Sequence, residues 1–192
     1  MGMVSGGKLA VDALLEKGVT KVFSLSGGHI NPLYEAAEGS PLEIFTTRHE
    51  QASVFMAEAW GMLTRKPGVA LVTAGPGFSN SLSAIANAQM ANTPLVLIAG
   101  AVGLKAHEKL DLQDMRQLPV IEPLVKKALC CQKTDRIPEF IDMAYRFASS
   151  GRPGPVYLEL PIDVWAANVD ESTVKKVNTV TGSRAVDLEK AE

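Results

Sequence analysis

Two kinds of apolar pattern alternate along this chain. Short β-rich runs at 22–25, 43–47, 69–74, 95–99, 128–132 and 156–160 predict six strands. The run at 69–74 is almost continuously apolar, as a strand covered on both faces should be. Between the strands the spacing becomes helical. Val11, Leu14 and Leu15 fall at i, i+3 and i+4 in a helix over 8–17, with Gly18 placed to end it. A short helix fits 32–37, with Asn31 as its N-cap and Pro32 at its first position. The clearest helical signal is the stripe Ala52, Phe55, Met56, Ala59, Trp60 and Leu63, the pattern of an amphipathic helix turned toward a core. A helix over 78–91 is rich in small residues (Ser79, Ser81, Ser83, Ala84, Ala86 and Ala88), which let another backbone or a ligand approach closely. Ile137, Phe140, Ile141, Ala144 and Ala148 mark the last long helix.

Strands alternating with helices predict an α/β fold, a doubly wound parallel sheet of about six strands with helices on both faces. The stretch 100–120 has no strong period and reads as a long connection with a short helix, a type of segment that is often functional. Beyond Trp165 the chain turns polar and aperiodic. One domain is therefore expected over 1–167, followed by a linker or tail over 168–192 toward a domain outside the chain.

Composition narrows the possibilities. The chain has 192 residues, 46% apolar and 21% charged, which suits a globular domain. A net charge of −2 leaves no basic field for nucleic acid or an anionic membrane. No apolar run reaches membrane-spanning length, and the opening residues Met1 to Gly7 lack signal-peptide features, so a cytoplasmic location is expected. Cys130 and Cys131 are neighbours and belong to no disulfide framework or metal-spaced set. They read as structural thiols.

In open parallel sheets, ligands bind beyond the carboxyl ends of the strands. Four segments fall at that edge: Gly27-Gly28-His29, Arg48-His49-Glu50, Gly75-Pro76-Gly77 and the connection after Ala99. No phosphate loop, dinucleotide fingerprint, nucleophile elbow or zinc-spaced cluster is present, which argues against an ordinary nucleotide, dinucleotide or zinc site.

These segments do resemble a family. Thr47-Arg48-His49-Glu50, Ala59-Trp60-Gly61 and Val72-Thr73-Ala74-Gly75-Pro76-Gly77-Phe78-Ser79-Asn80 resemble the N-terminal domain of acetolactate synthases and their relatives. So do Ala86-Asn87-Ala88, Thr93-Pro94-Leu95, Arg152-Pro153-Gly154-Pro155-Val156 and Leu160-Pro161-Ile162-Asp163-Val164. The likeness runs through nearly the whole chain in order. The opening residues and Gly28-His29-Ile30 look closest to benzaldehyde lyase and to acetolactate-synthase-like 2-hydroxyacyl-CoA lyases.

The resemblance implies the pyrimidine-binding half of a thiamine-diphosphate enzyme. It gives Glu50 the task of hydrogen-bonding N1′ of the aminopyrimidine and so promoting loss of the C2 proton, an acid–base effect of about 10²–10⁴-fold. Read alone, Glu50 fits better as a carboxylate that stabilises the positive end of its helix, and it is the surrounding motif that favours the catalytic task. The resemblance makes Gly28, Thr73, Gly75, Pro76, Gly77 and Asn80 the cofactor-binding set and His29 a proton-transfer residue for the substrate hydroxyl. Gln113 resembles the family's glutamine facing the substrate or the reactive side of the cofactor, although Leu112 stands where many synthases have phenylalanine. His49 is a supporting neighbour, and His107 reads as a surface residue.

Family enzymes hold the diphosphate and Mg2+ with a Gly-Asp-Gly motif in another domain, and this chain has no Gly-Asp-Gly. It is therefore expected to contain no metal ligands and to be inactive alone, as a fragment or as one subunit of a split enzyme. The implied partners are a diphosphate-binding domain, further copies in a homodimer or homotetramer with the small-residue helix over 78–91 as the expected packing surface, and a small-molecule substrate. FAD is possible in the parent enzyme. The implied chemistry is making or breaking C–C bonds next to the carbonyl of 2-oxo acids or 2-hydroxy carbonyl compounds. The alternative is a non-catalytic assembly or regulatory module that keeps the fold.

Overall fold

Residues that alternate between two apolar faces build the central sheet. The structure, a computed structural model, describes residues 2–175 and 177. In chain order its elements are β1 (Met3–Ser5), α1 (Gly6–Glu16), β2 (Lys21–Ser24), α2 (Asn31–Ala37), β3 (Glu43–Thr46), α3 (Glu50–Thr64), β4 (Gly68–Val72), α4 (Pro76–Asn80) and α5 (Leu82–Ala91). There follow β5 (Leu95–Ala101), α6 (Gln117–Ile121), β6 (Lys127–Cys130), α7 (Ile137–Ser149), β7 (Pro155–Pro161), α8 (Ile162–Ala166) and β8 (Asn168–Asp170). Six strands pair in parallel in the order β3-β2-β4-β5-β7-β6, while β1 and β8 form a separate antiparallel pair. This is the doubly wound sheet that the sequence pattern predicts. Residues 176 and 178–192 of the expected tail lie outside the described residues.

Strand alternation divides the core in two. Val69, Leu71, Val96, Ile98, Val156, Leu158 and Leu160 face a layer formed by α1, α2, α7 and α8. Ala70, Val72, Leu95, Leu97, Ala99 and Tyr157 face α3, α4, α5 and α6. The two central strands β4 and β5 are buried along their full length.

Three local expectations need correction. The apolar stripe of α3 faces outward: Phe55 is 41% exposed, Met56 48% and Leu63 85%. The face against the sheet carries Ser53, Val54, Ala57, Glu58 and Gly61 instead. The reason is proximity. A Cβ on Gly68 would lie 1.9 Å from Ala57 O, and one on Gly61 would lie 2.3 Å from Pro94 O. At that separation only small side chains fit under most of the helix.

The helix expected over 78–91 is two helices. Ser81 separates them, its Oγ donating back to Phe78 O at 2.5 Å in place of a regular turn. Its small residues, expected to pack against another copy, instead admit α3 of the same chain, which packs beside α5 and donates from Gln51 Nε2 to Ser83 Oγ at 2.7 Å. Finally, Asn31 is the first residue of α2 and not its cap. A 3-10 turn over Gly28–Ile30 leads directly into the helix, and the Asn31 N–H donates to Gly28 O.

Candidate functional site

The strand order fixes where a ligand crevice opens. From β2 the chain moves outward to β3, then returns to place β4 on the other side of β2 and continues through β5. Connections leaving β2 and β4 therefore diverge, and the gap lies between their carboxyl ends. Gly27, Gly28 and His29 follow β2, and Thr73 to Gly77 follow β4. The two segments interlock: a Cβ on Gly27 would lie 2.5 Å from Thr73 Cβ, and Thr73 Oγ1 is 3.5 Å from His29 Nδ1. Beneath them, a Cβ on Gly100 would lie 2.6 Å from His29 O.

Glu50 reaches this crevice from the adjoining strand. Thr47 closes β3, its N–H donating to Ser24 O at 2.8 Å. Thr47 Oγ1 is 2.7 Å from Ser53 Oγ and donates to His49 O at 3.0 Å, bending the chain into α3. His49 is extended and caps the helix, its Nδ1 accepting from Gln51 N at 3.2 Å. These contacts make Glu50 the first helical residue and turn it inward, leaving it 7% exposed. Its Oε2 accepts from Asn80 Nδ2 at 3.0 Å. Among the described residues Oε1 makes no hydrogen bond and no salt bridge engages the carboxylate. A Cβ on Gly77 would sit 3.3 Å from Oε1 and 2.6 Å from Thr73 Cγ2, so only glycine leaves that oxygen clear.

The turn opposite Glu50 needs glycine at its start. Gly75 has φ 60° and ψ −112°, and a Cβ there would meet Gln113 Cβ at 2.9 Å. Gln113 itself lies in the left-handed region at φ 64°, which brings its backbone against the turn. Pro76 begins α4 at the exposed rim, and a Cβ on Gly28 would meet nothing within 4 Å. The structure thus gathers Glu50, Gly28, His29, Thr73, Gly75, Pro76, Gly77, Asn80 and Gln113 at one sheet edge. His107 lies apart, lining a cavity of about 270 Å3 with Arg116, Cys130 and Glu159. Glu50 does not line it.

Sequence reading misses Gln117, a buried residue behind the turn. Its Oε1 accepts from Gly75 N at 2.9 Å, and its Nε2 lies 3.0 Å from Gly100 O, Tyr157 Oη and Glu159 Oε2. The only signal was its place in the aperiodic connection after β5. Ser53, which with Thr47 sets the entry to α3, likewise carries no distinctive pattern, and Thr47 was read only as part of the motif that ends at Glu50. The thiols are poor nucleophiles: burial and the Glu159 carboxylate push Cys130 up to about 12, and burial pushes Cys131 up to about 11. Among the described residues, no group of three His, Cys, Asp or Glu could hold a metal ion, and no helix is long and apolar enough to cross a membrane.

A buried carboxylate thus stands beside a glycine turn at the switch point of a parallel α/β sheet. The family model for the N-terminal TPP-binding domain of thiamine pyrophosphate enzymes matches residues 4–120, and the chain belongs to this family. It is 40% identical over 178 residues to 2-hydroxyacyl-CoA lyase 2 of Danio rerio, covering 92% of this chain and 29% of that protein. It is 41% identical over 159 residues to the Homo sapiens 2-hydroxyacyl-CoA lyase 2, covering 83% and 25%. Against acetolactate synthase of Bacillus subtilis it is 39% identical over 159 residues, covering 83% and 28%. The chain therefore spans between 25% and 29% of the length of these relatives.

Proposed function

We propose that this chain is the pyrimidine-side half of a thiamine-diphosphate enzyme that makes or breaks C–C bonds next to a carbonyl. The observation that carries this reading is the Glu50 carboxylate: inward-facing, fixed through one oxygen by Asn80, with its other oxygen free beside Gly77. A carboxyl oxygen with no protein partner, beside a side-chain-free turn, can share a proton with a ring nitrogen of a flat heteroaromatic group. Family membership and the names of the relatives favour thiamine diphosphate as that group. When bound, it supplies a carbon nucleophile and an electron sink for substrates carrying a carbonyl.

The chain's own residues have separate tasks in this reading. Glu50 holds a proton against N1′ of the pyrimidine ring, and Asn80 keeps the carboxylate from swinging away. Gly75, Pro76 and Gly77 shape the wall of the ring site, with Thr73 behind them and Gly28 leaving room at the rim. His29 moves a proton to or from the substrate oxygen, and Gln113 borders the reacting side. Diphosphate and Mg2+ belong to a diphosphate-binding domain outside these 192 residues. Substrates are 2-oxo acids, 2-hydroxy ketones or 2-hydroxyacyl thioesters. FAD in the parent enzyme and a cytoplasmic location belong to the same reading.

Self-association as a homodimer or homotetramer completes the proposal, and the outward stripe of α3 is its surface. Large apolar side chains on one helix face, at the exposures of Met56 and Leu63, mark an interaction site more often than a solvated surface. The test is to express the chain joined to a diphosphate-binding domain and assay cleavage of 2-hydroxyacyl thioesters and condensation of 2-oxo acids. One of these activities, lost when thiamine diphosphate is removed, is expected. Absence of both with cofactor bound contradicts the proposal.

A further inference from the structure

Gln117 is buried against the glycine turn and is 1% exposed. Its amide has one possible orientation. On one side stands a donor, the Gly75 N–H at 2.9 Å from Oε1. On the other stand three oxygens, Gly100 O, Tyr157 Oη and Glu159 Oε2, each 3.0 Å from Nε2. A flipped amide would set oxygen against a carbonyl and a carboxylate and nitrogen against an N–H. The array continues outward, because Tyr157 Oη donates to Glu159 Oε2 at 2.9 Å. Gly75, the residue held this way, has the positive φ that begins the turn, and two residues later Gly77 borders Glu50 Oε1.

We infer that Gln117 is a positioning residue: oriented by Tyr157 and Glu159, it fixes the Gly75 amide and thereby the place of Gly77 against Glu50. The network ties β7 to the β4 turn across β5, so the turn beside Glu50 is held by side chains that make no hydrogen bond to Glu50. Its catalytic meaning rests on the reading of Glu50 given above; the coupling itself does not.

The test uses the isotope-labelled 192-residue chain, without cofactor. Two quantities are read, the hydrogen-exchange rate of the Gly75 amide and the carboxyl 13C chemical shift of Glu50. In Gln117→Leu, Gly75 exchange should rise about tenfold relative to ladder amides of β5, the scale of one lost buried hydrogen bond, and the Glu50 signal should move. Gln117→Glu keeps the oxygen facing Gly75 but sets a second carboxylate beside Glu159, so it should also speed exchange. Adding Glu159→Gln to that variant should restore much of the protection, because a donor again faces position 117. A residue that only fills volume predicts no such rescue. Unchanged Gly75 exchange in folded Gln117→Leu, a uniform rise across β4 and β5, or no rescue by Glu159→Gln overturns the inference. If Gln117→Leu does not fold, the Gln117→Glu pair decides alone. If the coupling is found but Glu50→Gln leaves cofactor chemistry intact, the cofactor reading falls and the coupling stands.

Discussion

Asn80 Nδ2 donates to Glu50 Oε2 at 3.0 Å, joining the short helix after the glycine turn to the first residue of α3. The two residues are thirty apart in sequence, and this bond links the segments that follow β3 and β4. A neutral donor holds the carboxylate in direction without neutralising it, which a lysine or arginine would do. The energy of this contact should appear in a double-mutant cycle on chain stability. Asn80→Asp places a like charge beside Glu50 and should cost about 1 kcal/mol more than Asn80→Ala in urea denaturation. In a Glu50→Gln background that difference should vanish. Equal costs in both backgrounds would show that the two side chains do not interact.

Glycines in this chain divide into those that serve the scaffold and those that serve the crevice. Gly68→Ala forces a methyl group to 1.9 Å from Ala57 O, so α3 must move off β4, and a loss of about 3 kcal/mol is expected. Gly28→Ala meets open space and should change stability by less than about 0.5 kcal/mol. It nevertheless intrudes on the crevice and should weaken cofactor binding in the complete enzyme. Thermal unfolding of both variants beside cofactor titration of the second checks the division.

The α3 stripe makes a prediction about assembly. Met56→Lys with Leu63→Lys removes apolar surface that is already exposed, so the fold should be kept. Sedimentation should show a shift toward monomer relative to the unmodified chain. An unchanged oligomer in the double variant would place the contact elsewhere.

The thiols offer a chemical check on the β6–β7 edge. With Cys130 pushed up to about 12, roughly 10⁻⁴ of it is thiolate at pH 8. Alkylation should run on the order of a thousandfold slower than for an ordinary free thiol. The Glu159 carboxylate opposes thiolate formation, so Glu159→Gln lowers the Cys130 pKa and should speed its alkylation. Mass spectrometry of partially alkylated chain resolves the two adjacent cysteines. Fast reaction at Cys130 in the unmodified chain would contradict its placement.

Strand positions were legible because β4 and β5 are buried on both faces and carry nearly unbroken apolar runs, while in β7 only Glu159 interrupts the pattern. Glu50, Gly75 and Gly77 were legible through motif resemblance, and the structure brings them together with the other expected residues. The direction of α3 was not legible. Its stripe of Phe55, Met56 and Leu63 obeys the helical period, but the sheet approaches so closely that Ala57 and Gly61 take the inner face. Periodicity reports which residues share a face and not which neighbour that face meets. Gln117 was hidden for a different reason. Its role comes from bonds to Gly75, Gly100, Tyr157 and Glu159, which are distant in sequence and meet only when three strands are laid side by side.

The central claim is that the free oxygen of Glu50 is directed at a ring nitrogen of thiamine diphosphate. Hydrogen–deuterium exchange at C2 of the cofactor, followed in the complete enzyme by rapid quench and NMR, addresses it most directly. Glu50→Gln should keep the fold and bind cofactor while slowing that exchange by about 10²-fold or more. Exchange at the unmodified rate in a folded, cofactor-loaded Glu50→Gln enzyme would contradict the claim.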